Sequence, residues 1–392
     1  MCFGQFSRLC HWGPLSALGI IKCVTGVTLH CNNIIWAGNS STASMNLLCF
    51  MSLSGLTLYN FLSAAVHGPG FLPLNWAPDN LSDVKYMQFC KLCNSYKAPR
   101  SHHCRKCKRC VLKMDHHCPW INNCVGWRNH GHFVAFLAFA VLGCLHASFI
   151  LMYTLYASIY RIQLLHHSKQ TAILGLHGTI MCVLSLGFAV GVVLAVGMLF
   201  IFQVRAIARN RTGIEDWIME KADYRRKNSG TKFTYPYDLG LLRNVKQVVN
   251  WTCNPVGDGI TWETIEGRDQ YSLTKEQLRQ KKDKRNRARM YIVGKSYSGR
   301  WFPVSHGFKV LCHPPCTDEE RIDLQYGDKI LVTRWHKYWL FGEKIQDSIS
   351  LLERKRGWFP RQCVSESYEE DLPTLSEDKC DKKKSSRLIF ST

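Results

Sequence analysis

The sequence predicts a polytopic α-helical membrane protein with four transmembrane helices, a cytosolic cysteine-rich loop able to bind two zinc ions, and a small C-terminal β-barrel. Three observations predict it. Four apolar segments alternate with strongly basic ones. Seven of the nineteen cysteines crowd into the stretch from Cys90 to Cys124. From Met290 to Val364, β-branched and aromatic residues alternate and are punctuated by turn signals. The 392 residues suffice for two or three domains, and the formal charge of +21 concentrates at residues 85–128, 205–246 and 279–301. Such a charge fits either nucleic-acid binding or the cytosolic face of a membrane protein. The apolar blocks favour the membrane, with no nucleic acid as partner.

The first apolar segment, about Leu15 to Trp36, is the weakest, because Lys22 and His30 lie inside it. A lysine at mid-bilayer costs about 2.5–3.5 kcal/mol, less where it snorkels to the interface. The second segment runs from about Met45 to Val66 without a charged residue. The third, Phe133 to Tyr160, and the fourth, about Ile173 to Phe202, exceed the ~20 residues that a span requires. A buried core helix is the alternative reading of such runs, and uncharged lengths above ~18 residues argue against it for the last three.

Lysine and arginine set the orientation. The turn from Ala37 to Ala43 carries none, and the turn after the third segment has only Arg161 and Lys169. The loop between the second and third segments carries ten, from Lys85 to Arg128, and Arg205, Arg209 and Arg211 follow the fourth. Both termini and the cysteine-rich loop are therefore expected on the cytosolic face, with two short lumenal turns. Asn39-Ser40-Ser41 is formally a glycosylation sequon on the lumenal side, expected to stay unused so close to the membrane. The Cys-x2-Cys spacings and the lack of a cleavable signal peptide mark the cysteines as reduced thiols.

The cysteine-rich run reads Cys90-x2-Cys93-x9-His103-Cys104-x2-Cys107-x2-Cys110-x4-Asp115-His116-His117-Cys118, then Cys124. Closely spaced Cys and His pairs are how a short loop-rich segment holds tetrahedral zinc. Two closed sites need eight ligands, which six cysteines and two histidines supply, and one cysteine remains. Asp115 and His116 stand directly beside Cys118, as an orienter and a base stand beside a nucleophile. That points to Cys118 as the remainder.

The pattern, taken with Lys97-Ala98-Pro99-Arg100, Asp115-His116-His117-Cys118-Pro119-Trp120, Asn123-Cys124-Val125-Gly126 and Asn129-x3-Phe133, resembles the cysteine-rich domain of the DHHC protein S-acyltransferases. These integral-membrane enzymes move palmitate from palmitoyl-CoA to protein cysteines, and the match covers about residues 68 to 133. The resemblance implies interleaved ligand sets: Cys90, Cys93, His103 and Cys110 on one zinc, Cys104, Cys107, His117 and Cys124 on the other. Closed four-ligand sites are structural. In an extended Asp115–Cys118 segment, alternate side chains face opposite ways. His116 and Cys118 then share one face, with His117 on the other. His116 can accept the thiol proton while Asp115 holds its tautomer. Trp120 is expected either to touch the acyl chain or to act as a plain interfacial aromatic. His102 and His130 lack ligand spacing and read as ordinary polar residues. The third and fourth spans are expected to enclose the acyl chain, and cytosolic Lys and Arg residues to meet the CoA phosphates.

Two departures from the family pattern are visible. Gly68-Pro69-Gly70 stands where Asp-Pro-Gly is usual, and Gly213 replaces a threonine in Thr212-Gly213-Ile214-Glu215, removing a hydroxyl near the catalytic carboxylate. Tyr235-Pro236-Tyr237-Asp238-Leu239-Gly240 followed by Asn244 matches the family's C-terminal aromatic-and-Asn element. The basic run at residues 276–290 reads as a solvated linker or helix end, or as a contact for anionic lipid headgroups.

Tyr326-Gly327-Asp328-Lys329-Ile330, Tyr338-Trp339 and Gly357-Trp358-Phe359-Pro360 together resemble an SH3 domain, which within the family implies the endoplasmic-reticulum member carrying one. Tyr338 and Cys363 stand where two groove aromatics belong, so a docking role without PxxP recognition is expected for a protein partner. Cys312, Cys316 and Cys363 read as modification sites or as small buried hydrophobes.

The chain thus divides into a cytosolic N-terminus (1–14), the first two spans (15–66), the zinc-binding domain (67–131), the third and fourth spans (132–204), C-terminal motifs with a basic linker (205–289), the SH3-like barrel (290–366) and a disordered tail (367–392). A zinc-dependent binding protein, either a nucleic-acid module or a ubiquitin-ligase-like finger, would explain the zinc and the charge but not a surplus cysteine flanked by Asp and His. An inert SH3-bearing adaptor would not need the intact Asp-His-His-Cys. The partners implied are membrane lipid, acyl-CoA and cysteine-containing, mostly membrane, protein substrates.

Overall fold

A computed structural model describes residues 6–35, 41–165, 174–317, 319–345 and 355–366. The expected lumenal turns with Asn39 and Lys169 and the tail from residue 367 lie outside them. The chain forms two compact units, residues 1–280 and 281–392.

In the first unit, α1 (Trp12–Ile35) and α2 (Ser41–Val66) precede three small hairpins. These pair β1 (Phe89–Cys90) with β2 (Ser95–Tyr96), β3 (His102–Cys104) with β4 (Arg109–Val111), and β5 (His116–Cys118) with β6 (Asn123–Val125). Then come α3 (His130–Leu165), α4 (Leu176–Ala208), α5 (Gly213–Arg226), α6 (Leu241–Lys246) and α7 (Ser272–Asn286), whose last six residues fall in the second unit. Four of these helices are long and apolar enough to cross a membrane: α1, α2 from Ser44, α3 to Tyr160, and α4. A helix that is apolar all round belongs in lipid. Phe149 and Tyr156 of α3 and Leu194 and Ile201 of α4 accordingly stay exposed. The third span begins a turn earlier than Phe133 because Asn129 caps it: its backbone carbonyl accepts from Phe133 N at 3.0 Å.

Without water, polar side chains in the bundle satisfy one another. Thr25 and Ser54 join α1 to α2 at 2.8 Å, Asn46 donates to Asn32 at 2.7 Å, and His146 reaches Asn46 at 2.6 Å. The cysteine-rich hairpins carry only small apolar clusters, Leu72, Ala98 and Leu112 beside one set of cysteines and Val111 and Met114 beside the other. They are sewn to the helices by side-chain amides: Asn123 Nδ2 donates to Ala65 O at 3.0 Å, and Asn129 Nδ2 to Ala64 O at 2.9 Å. Gly13 explains how α1 meets them, since a Cβ there would sit 2.0 Å from Pro119 O.

The basic run from residue 276 is mostly helix. Its Glu276 is buried and pairs with Arg225 at 2.7 Å and Arg226 at 2.6 Å.

The second unit contains β7 (Arg289–Val293), β8 (Tyr297–Ser298), α8 (Phe308–Cys312), β9 (Asp323–Leu324), β10 (Lys329–Trp335), β11 (Trp339–Ile345), β12 (Arg356–Pro360) and β13 (Val364–Glu366). Its main sheet is antiparallel in the order β12-β11-β10-β7-β13, and β8 pairs with β9 at the base of a long loop. Period-two alternation places Val293, Ile330 and Val332 in the core, and β11 and β12, buried at successive positions, add Trp339, Leu340, Trp358 and Phe359. Cys363 is buried there, while Cys312 and Cys316 are exposed, so the small-hydrophobe reading fits only the first.

Candidate active site and metal centres

The hairpin registers gather the cysteines and histidines. His103 lies opposite Cys110 across β3 and β4, and His117 opposite Cys124 across β5 and β6. Each pair faces a Cys-x2-Cys knuckle, tightened by residues in the left-handed region, Asn94 (φ 49°) and Lys108 (φ 54°). Two groups result, Cys90–Cys93–His103–Cys110 and Cys104–Cys107–His117–Cys124, each with its ligand atoms within 4.8 Å of one another.

The donor spacing tests the fit to zinc. Cys90, Cys93 and Cys110 Sγ lie 3.4, 3.3 and 3.8 Å from His103 Nδ1. Cys104, Cys107 and Cys124 Sγ lie 3.6, 3.5 and 3.6 Å from His117 Nδ1. A tetrahedron with arms of ~2.0–2.3 Å has edges of ~3.3–3.8 Å. Both groups therefore fit a tetrahedral zinc of Cys3His type, with no donor to spare and no open position.

The alternation of β5 turns the neighbouring side chains away from the metal group. His117 points into it, and His116 and Cys118 point to the other face. His116 Nδ1 bonds Asp115 Oδ2 at 2.8 Å, and the Cys118 thiol lies on the same face of β5. Burial alone would lower the His116 pKa, but Asp115 and Cys118 raise it to about 9.

Asp115 is 6% exposed and fully engaged. Gly213 N donates to Oδ1 at 2.7 Å, and Gln203 Nε2 to Oδ2 at 3.0 Å. Burial opposes its ionisation, yet these donors and the neighbouring imidazoles hold its pKa well below the usual carboxylate range. At the Gly213 departure it is the backbone amide at the start of α5, a donor independent of the side chain, that reaches the carboxylate.

Two participants were missed from sequence. Gln203 of α4 bridges Asp115 to His130, whose Nε2 lies 2.9 Å from Gln203 Oε1. His130 is thus tied into the network behind Asp115, not an ordinary polar residue. The usable signal was a lone amide inside an apolar span, which is rare without a partner.

Cys118, 5% exposed, opens into a cavity of about 430 Å³ between the four long helices. Its lining is almost wholly apolar: Phe133, Leu137 and Ala140 of α3, Val196 and Leu199 of α4, with Trp120 at the same end as Cys118. Trp120 is half-exposed and stacks edge-on against Trp12 at 5.6 Å. Val24 and Phe50, which line the cavity, pack with Ala147 and Ala189 in one buried cluster.

A second network braces the site from behind. Arg100, held at φ 63°, forms a fully buried pair with Glu215, with Nε to Oε1 at 2.6 Å and Nη2 to Oε2 at 2.8 Å. Tyr235 donates to Glu215 at 2.7 Å, and the guanidinium lies over the Tyr237 and Trp262 rings at 4.5 and 4.6 Å. Thr212 and Glu215 close a capping box on α5, which fixes the Gly213 amide on Asp115. Asn244 holds the same region by donating to Ala208 O at 2.9 Å.

A membrane bundle whose apolar cavity ends on a cysteine, beside two closed Cys3His groups, defines a lipid-handling transferase architecture. Comparison with known families matches residues 83–220 to the DHHC palmitoyltransferases. Among curated proteins the chain is similar to Palmitoyltransferase ZDHHC6 of Homo sapiens, at 46% identity over 92% of both chains, and of Danio rerio, at 44% identity over 96% of both. It is also 30% identical to Probable protein S-acyltransferase 16 of Arabidopsis thaliana, over 57% of this chain and 82% of that one. The chain belongs to the DHHC palmitoyltransferase family.

Proposed function

We propose that Cys118 is the acyl-carrying nucleophile of this protein S-palmitoyltransferase, with His116 as its base and Asp115 as the orienter. One observation carries the reading: Cys118 is both the apolar cavity's polar end and the neighbour of the His116–Asp115 pair. His116 takes the thiol proton, and the thiolate attacks the thioester carbonyl of the acyl-CoA. The carbon–sulfur bond to CoA breaks, and the CoA thiolate leaves with the proton from His116. A substrate cysteine then passes its proton to His116 and attacks the Cys118 thioester, which frees the enzyme for the next cycle, a ping-pong sequence. Bound at Cys90, Cys93, His103, Cys110 and at Cys104, Cys107, His117, Cys124, zinc would supply folding energy and rigidity rather than chemistry.

The cavity dimensions suit a long acyl chain. Its lining on α4 runs from Leu199 to Gly187, twelve residues or ~18 Å. An extended chain covers at most ~3.6 Å per three bonds, about 1.2 Å each, so ~18 Å takes about fifteen carbon–carbon bonds. Each buried methylene contributes about 0.8 kcal/mol. Trp120, at the cavity mouth, contacts the first carbons.

The positive loops support a cytosolic site with cytosolic termini and the seven-part division of the chain given above. Kinship with the relatives named supports residence in the endoplasmic-reticulum membrane. The five-stranded sheet from Arg289 to Glu366 supports an SH3-like barrel that docks a protein without reading PxxP, since Cys363 is buried in the core where a groove aromatic is needed.

Incubating purified protein with an alkyne-tagged palmitoyl-CoA tests the assignment. Cys118→Ser should lose hydroxylamine-labile label while zinc stays near two per chain. Loss of one zinc equivalent would make Cys118 a ligand and overturn the roles.

A further inference from the structure

The long loop between β8 and β9 ends on Arg321, whose guanidinium has no hydrogen-bond or ion-pair partner among the described residues. Arg321 has its Nε, Nη1 and Nη2 atoms all buried and unbonded. Its guanidinium lies 3.5 Å from the Trp301 ring centroid and 5.2 Å from that of Trp339. Glu319 is taken, receiving Arg334 at 2.7 and 2.6 Å and Trp358 Nε1 at 3.0 Å, and the adjacent Glu320 is exposed. The backbone around Arg321 is fixed, because Trp358 N donates to Glu320 O at 2.9 Å and Ile322 N to Trp358 O at 3.2 Å. The side chain is therefore held in place by the fold, not stranded on a loose loop.

A guanidinium buried without an acceptor costs several kcal/mol, and each of its N–H edges is a donor left unmade. Burial pulls the Arg321 pKa below its ordinary value, opposed by Tyr297. We propose that the C-terminal unit binds a carboxylate of a partner protein at Arg321, with Trp301 as a movable cover. The planar fork matches a carboxylate in bidentate fashion once Trp301 is turned aside. Trp301 lies flat over the guanidinium yet is 57% exposed, so a single side-chain rotation uncovers it. Phe302, Val304 and Phe308 on the same loop are exposed, and Arg300 and Lys309 add positive charge beside them. Such a surface fits an acidic peptide with an apolar residue next to its carboxylate better than a bare ion.

The test uses the full chain in lipid nanodiscs and a short acetylated peptide of alternating glutamate and leucine, with its glutamine counterpart as control. Binding is read by tryptophan fluorescence, and inorganic phosphate and vesicles of neutral or anionic phospholipid serve as further probes. The glutamate peptide should bind, the glutamine peptide at least tenfold more weakly. Arg321→Lys, which keeps the charge but loses the fork, should weaken binding about tenfold. Arg321→Met should abolish it without lowering the melting temperature, because it removes an unpaired buried charge; acyl labelling should stay at the wild-type level in both. Equal binding of the two peptides would overturn the proposal. So would unaltered binding by Arg321→Lys and Arg321→Met, or a response to anionic vesicles or phosphate with none to the peptide.

Discussion

If the bundle cavity measures the acyl chain, filling it partway should shorten the chain the enzyme accepts. Gly191 is the place to do so. It lines the cavity eight residues before Leu199 on α4, ~12 Å below the Cys118 level. A Cβ built there meets nothing within 4 Å, so a larger side chain enters space without moving backbone. Gly191→Leu adds four carbons and should displace about four methylenes of a palmitoyl chain. At about 0.8 kcal/mol each that is ~3 kcal/mol, or roughly 200-fold at 1.4 kcal/mol per decade. The variant should lose about two orders of magnitude in kcat/KM for palmitoyl-CoA, and keep most of its rate with an eight- or ten-carbon acyl-CoA, whose chain ends above the obstruction. Competition between two tagged acyl-CoAs of different length reads the ratio directly. Gly26→Leu, in α1 and equally free of neighbours but outside the cavity lining, is the control. A Gly191→Leu protein that retains zinc and the wild-type preference would refute the cavity as the ruler.

The parts of this design that were legible in the sequence are those fixed by local pattern. Span lengths follow from the bilayer, and the ligand groups follow from spacing, because a hairpin register converts x2 and x9 intervals into neighbouring sulfur and nitrogen atoms. Alternation along Asp115–Cys118 likewise fixed which histidine could meet the thiol. What stayed illegible depends on contacts far apart in sequence. Arg100 and Glu215 are separated by 115 positions, and neither residue type announces a buried partner. Gln203 and Gly213 converge on Asp115 only after α4 has crossed back to the cysteine-rich hairpins. The backbone amide of Gly213 on Asp115, a donor that any residue but proline would supply there, is invisible until α5 is capped. The buried cluster of Phe50 with Val24, Ala147 and Ala189 draws on all four long helices, and no single helix's periodicity reveals it.

Three further substitutions test these couplings. His117→Ala should lose one zinc equivalent and most soluble protein in detergent, since structural zinc contributes up to ~10–16 kcal/mol of folding energy in small domains; metal analysis of a folded variant still carrying two zinc ions would contradict the ligand set. Gln203→Leu should keep zinc and fold but slow acyl-enzyme formation, because Asp115 loses a donor and the orientation of His116 relaxes; single-turnover labelling at the wild-type rate would exclude that role. Arg100→Leu should be the most destabilising of the three. Breaking a buried pair leaves Glu215 charged and uncompensated, at about 3–5 kcal/mol. Burial raises the Glu215 pKa and Arg100 lowers it, with a net depression in the intact protein. A depressed carboxylate contributes stability above its unfolded pKa and loses it as pH falls. Without Arg100 the upward push of burial is opposed only by the Thr212 amide and the Tyr235 hydroxyl, so protonation costs the variant less than it costs the parent. The stability gap should therefore be widest at neutral pH and shrink as pH falls through the ordinary carboxylate range. Thermal melts at several pH values measure this directly. A gap that stays constant or widens toward acid would mean that the pair holds α5 by packing against Tyr237 and Trp262, and not by charge.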